Sequence, residues 1–271
     1  MPTEPLLIRK STNDLGILVA GQFHAAGLSE EVESHFLFQK QNVVPALRRG
    51  FVLPNAIPLS AVPVEMTGYS IEETDYFQWL DHMQKFADKH FGPWVLREGF
   101  SHPTRLPWKN VLVIFDPGLT NREMVDKALK ARNLGVFERM DVGTYEGAGA
   151  LSTCRLQIIE RSPTPTVATR GLPPKYAKHW FGGRVTRPLG LRAYGIGTSV
   201  LHSVEKQFLD PEAKTATFFP ENVSGDDVAC GCYGPSSGKV YFLYNDSDDE
   251  SDHCGFREAI EVPLKPLPST P

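Results

Sequence analysis

Between Arg161 and Val204 the chain carries no aspartate and no glutamate, although acids outnumber bases over the whole sequence, 32 to 28. Chance rarely clears so long a window. Nothing inside it neutralises its seven cations: Arg161, Arg170, Lys175, Lys178, Arg184, Arg187 and Arg192. Other shortages also narrow the field. Four cysteines in 271 residues exclude a scaffold built on disulfides. No apolar run approaches the roughly 20 residues of a membrane span, so no membrane partner is expected. The opening Met-Pro-Thr-Glu precedes an apolar run broken by Arg9 and Lys10. That pattern does not match a secretory signal. The expected location is intracellular or within a particle.

Catalytic templates are missing as well. No Gly-x-Ser-x-Gly elbow occurs. His82 and His90 share a segment without the spacing or the glutamate of a helical zinc site. Gly234-Pro-Ser-Ser-Gly-Lys239 is too short for a phosphate loop and precedes a strand pattern. Asn245-Asp-Ser-Asp-Asp-Glu-Ser-Asp252 lacks the central glycine of a calcium loop and reads as a solvated charged turn. No internal repeat is present.

Helix and strand patterns are clearest in the middle of the chain. Short strands are expected at 6–9 and 17–23, a helix around 28–36, and proline-interrupted extended segments over 43–66. Ser70 and Glu73 form a capping box ahead of the stripe Tyr76, Leu80, Met83, Ala87 and Phe91, which has helical spacing. Gly92-Pro93 ends that helix. Val111–Phe115 is a continuous apolar run, as a strand buried on both faces requires. Thr120 and Glu123 cap a second helix, with Gly135 as its stop, and strands follow over Val136–Val142 and Leu151–Glu160. The expected fold class is α+β: an N-terminal β-α-β-β layer, with a ferredoxin-like arrangement as one form, then an antiparallel β-rich C-terminal part. Strands there are expected at Tyr194–Leu201, Lys214–Phe219, Val228–Tyr233, Val240–Tyr244 and Glu258–Val262. The expected divisions are 1–160 for the α+β domain, 161–192 for a basic Pro/Gly-rich arm, and 193–271 for the β-rich region with its proline-rich tail.

Function reads from charge. Residues 205–271 hold five bases and thirteen acids, a counterweight to the cationic window. Tyr176, Trp180 and Tyr194 lie among the cations, and rings beside positive charge suit a polyanion. The expected contact set is therefore Arg170, Lys175, Lys178, Arg184, Arg187, Arg192, Tyr176, Trp180 and Tyr194. The leading expectation is a non-enzymatic structural or interaction protein, one subunit of a particle or nucleoprotein, meeting a protein partner or copies of itself. A competing reading pairs the window's cations with acids of the same chain. An RNA-binding module is one alternative. Another is a small-molecule enzyme with Asp116, His179 and Arg184 near Gly195-Ile-Gly197, although Asp116 before Pro-Gly reads first as a turn residue. No cofactor is expected. Cys230, Cys232, His253 and Cys254 are soft zinc ligands by type, but their spacing favours free structural thiols.

Overall fold

The computed structural model describes residues 68–265, except 140, 146–148, 152, 183, 212–214, 225, 250 and the side chains at 179 and 222–224. They belong to one of two units of the chain, Val64–Pro271. The elements expected over 6–66, and the proline-rich tail from 266, lie outside the described residues.

The run Val111–Phe115 becomes strand β3 (Val111–Asp116), buried at every position. Two short strands precede it, β1 (Tyr69–Ser70) and β2 (Arg105–Leu106), paired antiparallel. β3 pairs antiparallel with β5 (Arg155–Glu160), β5 with β11 (Glu258–Val262), and β11 with β6 (Arg187–Pro188). The result is a four-stranded sheet, β3-β5-β11-β6. A second sheet has the order β10-β7-β8-β9-β4. Its centre is the expected antiparallel meander, β7 (Ala216–Ser224), β8 (Asp227–Gly234) and β9 (Lys239–Asp246). Gly234-Pro-Ser-Ser-Gly238 turns between β8 and β9, with the Gly238 N–H donating to the Gly234 carbonyl at 2.9 Å. β10 (Cys254–Gly255) and β4 (Gly135–Glu138) add to its two edges in parallel.

The protein is α+β with antiparallel sheets, but the β-α-β-β layer is divided. β3 and β5 are direct neighbours in one sheet, while β4 crosses to β9 in the other. Nor do the divisions at 160 and 192 hold. β11 from the C-terminal region sits between β5 of the first segment and β6 of the supposed arm.

Helix α1 (Tyr76–His90) buries Tyr76, Leu80, Met83 and Ala87 of the predicted stripe, while Phe91 follows the helix and is half-buried. The Ser70–Glu73 box caps a 3-10 turn, Ile71–Glu73, just upstream of α1 rather than α1 itself. Gly92 takes φ +97°, the left-handed conformation that ends the helix. α2 (Leu96–Gly99) is a single turn. α3 (Asn121–Met124) begins at the Thr120–Glu123 box, whose reciprocal bonds measure 3.0 and 3.1 Å. It continues through a π-type turn, Val125–Leu129, and a 3-10 turn, Lys130–Arg132. Asn133, left-handed at φ +59°, stops it, and Gly135 instead opens β4.

After the short α4 (Ala177–Phe181) comes the largest departure from expectation. Tyr194–Leu201 lies within a helix, α5 (Leu191–Glu205), buried from Ala193 to Leu201. Tyr, Ile, Thr and Val favour strands, and each interior Gly costs a helix about 1 kcal/mol. Packing overrides both. A Cβ on Gly197 would stand 2.7 Å from Ile114 Cδ1 of β3, and one on Gly195 would overlap the Met124 sulfur. The glycines let α5 approach the four-stranded sheet and α3, not a ligand. Tyr194 faces the other sheet, its ring centroid 5.2 Å from Phe219 and 6.4 Å from Phe242. A helix apolar all round is one enclosed all round.

One ion pair is fully enclosed. Arg257 meets Asp210 at 2.7 Å, with side-chain exposures of 3% and 0%. Thr217 of β7 donates to Asp210 at 2.7 Å, and Arg257 also donates to Thr217 (3.1 Å) and to the Ser162 carbonyl (2.8 Å). Burial pushes the Asp210 carboxyl upward, against the pull of the guanidinium. Removing one partner leaves a buried charge uncompensated. Arg257→Met is expected to cost about 3–5 kcal/mol in urea unfolding, and Arg257→Met combined with Asp210→Leu distinctly less.

His90 and His202, near the ends of α1 and α5, each have one buried ring nitrogen with no hydrogen-bond partner among the described residues. Burial, then neighbouring positive charge that includes Arg132, holds both imidazoles below the ordinary histidine range. The unfolded chain thus binds more protons, and stability rises with pH in that window. Their contribution is complete above pH ~6.5 and declines as pH falls toward the lowered values. The urea midpoint should therefore drop from pH ~7.5 to ~5.5, and drop less in His90→Gln/His202→Gln.

Candidate functional site

The cationic segment folds onto its own chain. Arg161 donates to Asp75 (2.7 Å) and Glu205 (2.6 Å), tying the start of α1 to the end of α5, and lies 5.1 Å over the Trp79 ring. Lys175 meets Asp248 of the acidic turn at 2.9 Å. Arg184 meets Glu258 at 3.2 Å and stacks 4.1 Å over Trp180. Burial lowers its affinity for the proton, and Glu258 opposes that shift. Arg192 meets Asp116 at 3.0 Å. Arg170 donates to the Pro165 carbonyl (3.4 Å) and to the Thr164 hydroxyl. Lys178 and Arg187 are exposed and make no ion pair among the described residues.

The free-standing arm is thereby corrected: its charge is matched mostly by acids distant in sequence. The rings go the same way. Tyr176 and Trp180 are each 7% exposed and Tyr194 is 0%. Uncovering such a ring forfeits roughly 1.5–3 kcal/mol of burial. Stacking a base on it returns about 1–3 kcal/mol. The exchange gains nothing, so these rings are core residues.

Arg187 and Arg192 do come together, with Asp116, in a cleft of about 110 Å³ at the first turn of α5. Gly190 precedes α5 and offers no side chain to cap it. Asp116 closes the end of β3. Its Oδ1 accepts from the N–H groups of Gly118 (2.9 Å) and Leu119 (3.3 Å), and its Oδ2 accepts from Arg192 Nε. It has the turn role, and it pins α5 to the strand. Arg184 lies outside the cleft lining, so the set Asp116, His179 and Arg184 is not gathered there.

The cleft floor and walls come from residues that sequence reading missed. Register places Gln157 beside Ile114 on one side and Glu261 on the other, and Arg187 beside Ala259. Opposed residues share a face, so Gln157, Glu261 and Arg187 all lie on the α5 side. Arg155 approaches Glu261 loosely, at 3.8 Å. Glu221 of β7 completes the wall. One signal was visible beforehand: Gln157 interrupts the apolar run Leu156–Ile159. The lining offers arginines, carboxylates and one amide, with no hydroxyl, thiol, imidazole or amine side chain. Such a lining is suited to contacts by charge and hydrogen bonds.

The chain matches no protein-family model, no curated protein and no solved structure.

The cysteines lie elsewhere. Cys230 and Cys232 are on β8, and register sets Ala216 of β7 next to Cys254. All four cysteines are free. Burial pushes Cys232 up to about 11 and raises Cys230 and Cys254 too. A metal needs the thiolate, which burial disfavours here. His253 is exposed, and the described residues contain no group of three or more His, Cys, Asp or Glu arranged to hold a metal. Among the described residues no helix is long and apolar enough to cross a membrane.

The two cleft arginines differ in what they hold. Arg192→Gln removes the partner of a carboxylate only 5% exposed and should cost about 3 kcal/mol. Arg187→Gln touches no ion pair and should change stability by less than ~0.5 kcal/mol. Paired urea titrations distinguish them.

Proposed function

We propose that the protein is a non-enzymatic interaction subunit of a larger assembly that meets a second copy of itself along the open edge of the four-stranded sheet. One observation carries the reading. β6 is an outer strand of that sheet; within it Arg187 is exposed and makes no ion pair among the described residues, and Val185, two residues upstream, is 61% exposed. An apolar contact flanked by charge is the ordinary anatomy of an interface. β6 is two residues long and includes Pro188, which has no N–H, so side chains rather than ladder hydrogen bonds would make the contact. Lys178 adds a second exposed cation in the same segment. Complementary charge is present on the surface: Asp226 and Asp246 are exposed. The partner contact set thus narrows from the whole cationic segment to Lys178, Val185 and Arg187. The buried rings remove the support for base stacking, and an RNA-binding reading is not carried forward.

Light scattering coupled to size-exclusion chromatography tests this at low and high salt. Wild type should self-associate at low salt and weaken as salt rises, because exposed charges are screened. Lys178→Glu/Arg187→Glu and Val185→Asp should each give the monomer. A wild type that is monomeric in every buffer overturns the proposal.

A further inference from the structure

We propose that the cleft at the first turn of α5 binds a small zwitterion of the α-amino-acid type. Its carboxylate lies toward Arg187 and the α5 backbone N–H groups, and its ammonium toward Glu221.

Four observations converge. Gln157 is only 7% exposed, lines the cleft, and has a carboxamide with no hydrogen-bond partner among the described residues. Its polar atoms are not sealed from solvent but open onto the cleft, where they can both donate and accept. A ligand that both donates and accepts would satisfy them. Second, α5 is 15 residues long and starts at Gly190 without a side-chain cap, so its first N–H groups favour a negative charge. Third, Arg187 and Glu221 line the same cleft, and among the described residues no ion pair joins them or engages either with another residue. Opposite charges that share a wall without touching leave room for a group carrying both signs. Fourth, the lining is balanced: Arg155, Arg187 and Arg192 face Asp116, Glu221 and Glu261. A phosphate dianion would meet repulsion from the last two carboxylates, whereas a neutral zwitterion meets none in net. A volume of about 110 Å³ is well below the several hundred of a drug-sized pocket, so the side chain must be small, as in glycine or alanine.

This inference goes beyond the partner contact, shares Arg187 with it, and fails separately from it through Gln157 and Glu221. Gln157 is buried and cannot touch a macromolecule, so Gln157→Leu should remove zwitterion binding while leaving the salt-dependent self-association intact. Calorimetric titration with glycine and L-alanine is the direct measurement. Acetate, methylamine and inorganic phosphate serve as single-sign probes. Saturable binding of glycine or alanine is expected, with acetate and methylamine at least about tenfold weaker, the scale of one charged hydrogen bond. Arg187→Ala and Glu221→Ala, both at exposed positions and safe for folding, should each weaken glycine by about tenfold. Absence of saturable binding by glycine and alanine overturns the proposal. So does phosphate or acetate binding as tightly as glycine, which would make this a plain anion site. Unchanged glycine affinity in Arg187→Ala and Glu221→Ala also overturns it, because the ligand would then sit elsewhere.

Discussion

The enclosed pair of Arg257 and Asp210 is the joint on which the two sheets turn. Arg257 directly precedes β11 of the four-stranded sheet, and Asp210 is bonded to Thr217 of β7 in the five-stranded one. The same guanidinium holds the Ser162 carbonyl, and the Asp210 N–H reaches the Pro163 carbonyl at 2.9 Å. The start of the acid-free segment is therefore fastened at this point. Tyr194 of α5 donates to the neighbouring Leu209 carbonyl at 3.2 Å, so the central helix is registered to the joint as well. The cleft depends on that registration, because its floor belongs to one sheet, its far wall to the other, and its mouth to α5.

The acid-free window follows from this architecture. Asp75, Glu205, Asp248, Glu258 and Asp116 all lie outside it, yet each holds one of its cations. Charges matched across the fold bind one segment to another, whereas charges matched within a segment would only neutralise it. Exposed pairs of this kind contribute little each, roughly 0–1 kcal/mol. The more enclosed ones, Arg192 with Asp116 and Arg161 with its two carboxylates, contribute position.

Much of the fold was legible where local chemistry decides it. The capping boxes at Ser70 and Thr120, the α1 stripe, the buried run of β3 and the β7–β9 meander all follow from spacing and turn residues. Tyr194–Leu201 was not legible, because its strand-forming residues become helical only when two sheets enclose them. The place of β4 was also hidden. Its short segment alternates like any strand, and only tertiary pairing assigns it to β9. For the cleft, Asp116, Arg187 and Arg192 were visible as charges, but their convergence was not. Gln157, Glu221 and Glu261 carry no motif, and strand register alone sets Gln157 beside Glu261.

The position of β11 bears on how the molecule is made. It is the last strand in the chain among the described residues, yet it lies inside its sheet, between β5 and β6. During synthesis β5 emerges about a hundred residues before its second neighbour, β11, exists. Until β11 leaves the ribosome, β5 has an unfilled lateral edge and α5 lacks part of the wall it will lie against. Closure of this sheet therefore waits on a strand made about a hundred residues later, and β5 passes that interval with apolar surface uncovered, the circumstance in which holding chaperones act.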